Sequence, residues 1–476
     1  MLFNSYQFMF FFPVVVLLYF CVPQKAKNHL LLVASYIFYM GWNPKYALLL
    51  LACTSVTFAA ALLLERHSGH KKVFVCISVV LVMGLLFYFK YLSFSVRFAN
   101  SVLARLGIAL KIPGHDIVLP VGISFFSFQA IGYLVDVYRG DVKAERSFLR
   151  YALFVSFFPQ LVAGPIERSR NLISQLSKTY SFDFCRAKDG LFTMLWGYLL
   201  KMVIADRAAV FVDAVYGSWR TCAGSQLAVA TLLFALQIYC DFAGYSLIAQ
   251  GAAKVLGIRL MRNFDSPYLS CSVHEFWRRW HISLSTWFRD YLYIPLGGGY
   301  CSSAKKRLNI LTVMTVSGVW HGAGFSFVAW GLLHGLYQIF DDIIKPLRKH
   351  IPQFFQLIVT FAEVSFAWIF FRADSFLNAL GIIRIIFTRF DILALFGDCQ
   401  KLYSLDAANI RLLLRCTLLL FAVDFANYKG QSMKDWLLGR EWYLQMAAFV
   451  AGVLFVAVCG IYGPAYDAAG FIYFQF

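Results

Sequence analysis

Apolar runs of nearly bilayer-spanning length recur from one end of this chain to the other, and they constrain its fold more than any single motif does. A spanning helix needs about 20 mostly apolar residues. Such runs lie near 6–22, 29–42, 46–64, 73–94, 117–135, 148–163, 190–204, 226–250, 308–320, 325–340, 354–371, 409–425 and 443–462. Composition agrees: 60% of the 476 residues are hydrophobic and 14% charged, where a soluble domain carries about 25% charged residues. The chain therefore reads as an all-α polytopic integral membrane protein. Its first run begins almost at once, without a basic leader region or a small-residue cleavage site, so it is expected to be a membrane helix rather than a signal.

The net charge of +18 raises the question of nucleic acid. The basic residues are not arranged as a groove backed by a soluble domain, so a nucleic-acid partner is not expected. They sit in short loops: "PQKAKNH", "ERHSGHKK", "YRGDVKAERSFLR", "IERSRN" and "CSSAKKRLN". Loops of that kind lie on the cytoplasmic side under the positive-inside rule. This places the N-terminus and the charge-poor "GWNPKY" turn outside. The same balance suits an anionic ligand or anionic membrane lipids at the cytoplasmic face. The 11 cysteines are scattered without paired spacing and read as small buried hydrophobes.

No solenoid repeat or long polar linker divides the chain, so a single integral membrane domain is expected over 1–476. Residues 1–115 read as plain spanning helices, 116–375 as a core, and 376–476 as closing helices. Within the core the apolar segments carry Gly, Pro, His, Asp, Arg and Trp. Irregular backbone at membrane depth is tolerated where it is buried in protein or lines a cavity. A central cavity or tunnel is therefore expected in this part. Stretches 168–180 and 376–390 look interfacial.

Four stretches carry the chemistry. In "FPQLVAGPIERSR" (158–170), Pro159 and Gly164-Pro165 break a helix near a membrane face, ahead of Glu167, Arg168 and Arg170. In "QIYCDFAGYSLIAQGAAKVLG" (237–257), Asp241 lies in an apolar setting, where a carboxylate is usually paired or functional. An arginine of the next stretch is the expected partner.

That next stretch, "HEFWRRWHISLSTWFRDYLYIPLGGG" (274–299), is too polar to span and too aromatic for a free loop. Trp277, Trp280 and Trp287 with Arg278, Arg279 and Arg289 suit an interfacial or re-entrant segment. The arginine forks and Gly297-Gly298-Gly299 are candidates to hold phosphates, although three glycines equally make a turn. Asp290 is a further candidate. His274 and His281 do not have zinc-protease spacing, so no metal is called for.

The fourth stretch, "MTVSGVWHGAGFSFVAWGLLHG" (314–335), sets His321 between Trp320 and Gly322-Ala323-Gly324. A buried histidine is most often a satisfied core residue. Here the small neighbours leave backbone room beside the ring, and a neutral imidazole can take a proton from a hydroxyl near neutral pH. His334 reads as secondary or structural.

Together "QIYCDFAGYS", "SPYLSCSVHEFWRRWHISLSTWFRDYLYIPLGG" and "GVWHGAG…FVAWGLLHG" resemble the membrane-bound O-acyltransferase superfamily. The branch they resemble acetylates alginate, peptidoglycan and related polymers. "LFNSYQFMFFFPVVVLLYF", "PVGISFFSFQAIGYLVDVYRG" and "PQLVAGPIER" share that resemblance, which extends to about Ala373. It implies a multi-helix bundle around a funnel and tunnel in the bacterial cytoplasmic membrane. It also implies acetyl-CoA as donor, a polysaccharide acceptor and a periplasmic or membrane-anchored SGNH, esterase-like partner. The family's W-H-G histidine matches His321, as general base or transient acetyl carrier, and its W-R-R-W-H histidine matches His281. Trp277, Trp280, Arg278, Arg279 and Arg289 would hold the donor, with Asp241, Trp320 and Asp290 in support. The chain departs from the branch at Ala243 and Leu247, so the second carboxylate usual there has no counterpart, and His274 is assigned nothing. The rival expectations are an acetyl translocase, an export-machinery scaffold, or transfer of D-alanine to teichoic acid.

Overall fold

The computed structural model describes residues 1–114, 117–162, 164–396 and 403–462, and among these the regular structure is helical. Among the described residues, five helices are long and apolar enough to cross a membrane: Pro44–Arg66, Lys71–Lys90, Gly224–Val255, Gln353–Arg372 and Trp442–Cys459. The fold groups into two compact units, residues 1–191 with 249–261, and residues 192–248 with 262–476.

The first unit holds α1 (Tyr6–Cys21), α2 (Lys27–Met40), α3 (Pro44–Arg66), α4 (Lys71–Lys90), α5 (Leu92–Arg105), α6 (Ile123–Arg139), α7 (Phe148–Ser156), α8 (Phe158–Leu161) and α9 (Ser169–Leu176). Their starts follow local chemistry. Ser5 caps α1 by accepting from the Phe8 amide, and Asn43 caps α3 with Pro44 in its first turn, where the missing N–H costs nothing. Two apolar runs are not single helices. The 73–94 run breaks at Tyr91, because α5 carries Ser, Arg and Asn on an amphipathic face. The 148–163 run turns extended at Phe157 (ψ 111°) and restarts as the single turn α8 with Pro159 in it. The helix break expected at Pro159 is thus present, followed by the short helix α9 within the 168–180 stretch.

After that break Glu167 is buried. One carboxylate oxygen accepts from the Met261 amide and the other from Asn171 Nδ2 at 2.6 Å. Burial pushes its carboxyl up to about 7 from the ordinary 4.5. A carboxyl raised on folding takes up a proton as the chain folds. Its contribution is therefore full below the unfolded value and is lost as pH rises through the folded one. Glu167→Gln is expected to flatten the fall in thermal midpoint between about pH 5 and pH 8 in detergent solution. Superimposable pH profiles for the two proteins would refute this assignment.

The second unit begins within α10 (Phe184–Tyr198) and continues through a π-helical stretch, Leu199–Ala205, into α11 (Asp206–Gly217). Next come α12 (Gly224–Val255), α13 (Val273–Arg279), α14 (Ile282–Phe288), α15 (Ser303–His321), α16 (Phe325–Arg348), α17 (Gln353–Arg372) and α18 (Phe376–Thr388). It closes with α19 (Ala407–Tyr428), α20 (Met433–Leu438) and α21 (Trp442–Cys459). The spanning helices differ in burial: the apolar window of α12 is 78% buried and that of α21 only 6%. A helix apolar all round and buried forms a core, whereas one apolar all round and uncovered needs lipid.

Glycines set the closest approach in this unit. A Cβ on Gly318 of α15 would lie 2.2 Å from the Phe327 carbonyl oxygen, and one on Gly331 of α16 would lie 2.3 Å from that of Met314. Small residues let membrane helices pack backbone to backbone, so α15 and α16 form a tight hairpin. Gly322, expected to leave room beside His321, does something else. A Cβ there would sit 2.1 Å from the Phe327 ring, so the space it frees is filled by that ring.

Candidate active site

His321 is the last residue of α15, and the extended Gly322 (φ −161°, ψ 154°) ends the helix directly after it. The imidazole is 3% exposed and walled by aromatic rings. Trp320, Trp330 and Phe371 have centroids 4.9, 5.0 and 5.5 Å from it. Trp330 of α16 also stacks on Trp368 of α17 at 5.7 Å. Rings of this size bury much apolar surface and pack with defined geometry, so the histidine is held in a rigid, dry setting.

His281 is fully buried in the break between α13 and α14. Its backbone is left-handed (φ 42°), a conformation costly for a non-glycine residue and common at functional sites. The surrounding chain imposes it. Asn263 O accepts from the Ile282 amide at 2.9 Å, and the Asp265 amide donates to Arg279 O at 3.0 Å. At the head of α13, Ser272 accepts from the Glu275 amide at 3.1 Å, and Asp341 of α16 accepts from the Val273 amide at 2.7 Å.

The same Asn263 fixes the His281 tautomer. Its Oδ1 accepts from the Ser283 amide at 3.3 Å and from Ser283 Oγ at 2.9 Å, and a backbone N–H can only donate. Oδ1 is therefore the acceptor for His281 Nδ1, 3.1 Å away, and that nitrogen carries the proton. Asn263 Nδ2 completes the arrangement by donating to Ser246 Oγ at 3.1 Å. The Nε2 of His281 is left with its lone pair, as a base or acceptor requires. Burial holds this imidazole below its ordinary range and so keeps it neutral.

The two histidines come together across one ring. Trp320 lies 6.3 Å from His281 and 4.9 Å from His321, centroid to centroid. The other expected residues are placed unequally. Trp280 is 1% exposed and stacks on Phe276 at 5.3 Å. Trp277 donates through Nε1 to His334 Nδ1 at 3.3 Å, which makes the fully buried His334 a positioning acceptor within the aromatic wall. Arg278 is exposed. Arg279 is engaged by Glu275 at 2.9 Å and lies 4.8 Å over the Tyr428 ring. Arg289 is exposed and pairs with Asp290 at 2.8 Å. Gly297 and Gly298 adopt left-handed backbone (φ 113° and 56°) in a turn.

Asp241 requires a correction. Its partner is not an arginine of 274–299 but Lys201, 2.7 Å away, which also bonds Asp206 at 2.8 Å. Lys201 stands in the π-helical stretch, whose extra residue per turn shifts side-chain direction. The sequence reading missed Lys201, Asp206 and Asn263. The signal present was "KMVIADR", three charges of both signs in an otherwise apolar stretch, the same anomaly that singled out Asp241.

A family model, membrane-bound O-acyltransferase, matches residues 141–378. The probable alginate O-acetylase AlgI of Pseudomonas putida is 34% identical over 100% of both chains. The chain belongs to the membrane-bound O-acyltransferases. Two other members show the range of relatives. The peptidoglycan O-acetyltransferase of Helicobacter pylori is 33% identical over 81% of this chain and 79% of its own. The teichoic acid D-alanyltransferase of Bacillus subtilis is 25% identical over 66% of this chain and 88% of its own. This membrane-bound O-acyltransferase is thus an acyl-transferring enzyme, and both histidines and the Lys201 cluster fall within the matched segment.

Proposed function

We propose that this acyltransferase moves acetyl from acetyl-CoA, at the cytoplasmic face of a bacterial inner membrane, to hydroxyls of an extracytoplasmic polysaccharide. The observation that carries the reading is the buried His321 at the α15–α16 turn, with His281 held neutral across Trp320. In the reaction the acceptor oxygen attacks the thioester carbonyl carbon while His321 takes the hydroxyl proton. The C–S bond breaks and that proton leaves with the thiolate. An acceptor nitrogen at His281 orients the donor or shares the proton. The aromatic wall keeps water from the ester. Exposed Arg278 and Arg289 are the arginines best able to meet the donor's phosphates at the basic face, whereas Arg279 is held in an internal ion pair. The chain works as one domain and delivers acetyl to polymer through an esterase-like partner outside the membrane.

The acceptor assignment rests on relatives whose names specify alginate and peptidoglycan. The test is ester-linked acetate released by mild base from separated envelope fractions of a parent strain, a deletion and a complemented deletion. Acetate is expected to vanish from one polymer fraction on deletion and to return on complementation. Loss of ester-linked D-alanine instead would replace acetyl in this reading. Unchanged esters in every fraction would overturn it.

A further inference from the structure

The segment that carries His281, from Asn263 to Ile282, closes on itself. Besides the Asp265 amide bond to Arg279 O, Arg279 Nη1 donates back to Asp265 O at 3.1 Å. A non-glycine residue in left-handed backbone stands beside each half of this clasp: Ser266 (φ 48°) and His281 (φ 42°). Both are buried. Conformations of this kind persist only where the surroundings over-determine them.

Part of that hold comes from α19. Asp424 O accepts from Ser266 Oγ at 3.1 Å, which registers the helix against the segment. Asp424 Oδ2 accepts from the Tyr239 hydroxyl of α12 at 2.8 Å. Four residues on, and so on the same face of α19, Tyr428 lies under the Arg279 guanidinium. The family model ends at residue 378. It therefore contains Tyr239, Ser266 and Arg279 but not their partners on α19.

Asp424 and Tyr239 are buried, and the transfer chemistry proposed above uses neither. A buried carboxyl group is costly unless it is bonded. Tyr239 connects this one to the histidine. Its ring centroid lies 5.9 Å from Phe264 and 6.2 Å from Trp280, one on each half of the clasp. Trp280 directly precedes His281. Phe264 packs edge-on against Phe242, whose ring lies 4.6 Å from that of His281. Without its acceptor the Tyr239 hydroxyl would be a buried donor left unpaired, and the rings that seat His281 would lose their anchor.

We propose that Asp424 is a positioning residue for His281, acting through Tyr239 to hold the 263–282 segment in its strained form. Its effect on acyl transfer rests on the role proposed above for His281. The test uses the full chain in detergent, with histidine labelled for ring-nitrogen NMR, and the His281 signal is the one missing from His281→Gln. Asp424→Asn keeps an oxygen that accepts from Tyr239 and should retain the wild-type signal of a neutral ring protonated at Nδ1. Asp424→Leu and Tyr239→Phe each remove the bond and should shift or broaden it. Either one suffices if the other does not accumulate. Per folded protein, these two variants should lower kcat about tenfold, the effect of one lost buried hydrogen bond. Asp424→Asn should stay near wild type, and neither variant should lower kcat further in a His281→Gln background. An unchanged His281 signal in the two variants would overturn the positioning role. So would a fall of equal size in the His281→Gln background or, where His281→Gln is impaired, a wild-type rate in both. If the signal moves but His281→Gln transfers at the wild-type rate, Asp424 still positions the ring and the part of His281 in transfer falls.

Discussion

Replacing His321 by alanine or glutamine is expected to lower acyl transfer by about 10²- to 10⁴-fold, the usual contribution of a positioned general base. Alanine also leaves a void among Trp320, Trp330 and Phe371. Glutamine keeps much of the volume and separates lost chemistry from lost packing. Both variants should be present in the membrane, and the glutamine form should keep its thermal midpoint. Transfer within about tenfold of wild type by the glutamine protein would contradict a base at this position. His281→Gln should fall less, because its ring is a step removed across Trp320.

The second large effect is on stability. Lys201, Asp206 and Asp241 are buried together, with side chains 2%, 5% and 4% exposed. Lys201→Met removes the cation and strands two carboxylates away from water. Breaking a buried ion pair from one side costs about 3–5 kcal/mol, enough to deplete the folded protein in the membrane. Neutralising all three positions, Lys201→Met with Asp206→Asn and Asp241→Asn, should recover most of that loss, because no buried charge is then unmatched. Thermal unfolding in detergent reads both outcomes. A Lys201→Met protein as stable as wild type would show that water reaches these carboxylates, and the triple variant would then show no recovery.

Much of the fold was legible because the bilayer imposes a length and a polarity that a linear sequence displays directly. The starts of α1, α2, α3, α15, α16, α17, α19 and α21 fall close to those of the apolar runs, and the caps at Ser5, Asn43 and Ser302 are local. The break at Pro159 was equally readable, since proline acts through its own missing amide and fixed ring. The split at Tyr91 was less so, because hydropathy does not distinguish an interfacial helix from the end of a spanning one.

For the site, residue type alone marked His321 and Asp241, since an ionisable group in an apolar run is anomalous wherever the chain carries it, whereas His281, in a stretch too polar to span, was marked by the W-R-R-W-H resemblance. Their partners lie 18 to 40 positions away: Asn263 against His281, and Lys201 against Asp241. Such pairings depend on which helix faces turn toward each other. The tautomer of His281 was fixed only when the Ser283 amide met the same carboxamide oxygen. The role of Gly322 was reversed by one ring, Phe327, delivered from the next helix. Sequence by itself determined that this is a helical membrane protein with misplaced charges and histidines, because those are properties of single residues in a slab of hydrocarbon. Tertiary structure decided which of them touch, because hydrogen bonds and ring contacts act over a few ångströms and only packing brings distant residues within that range.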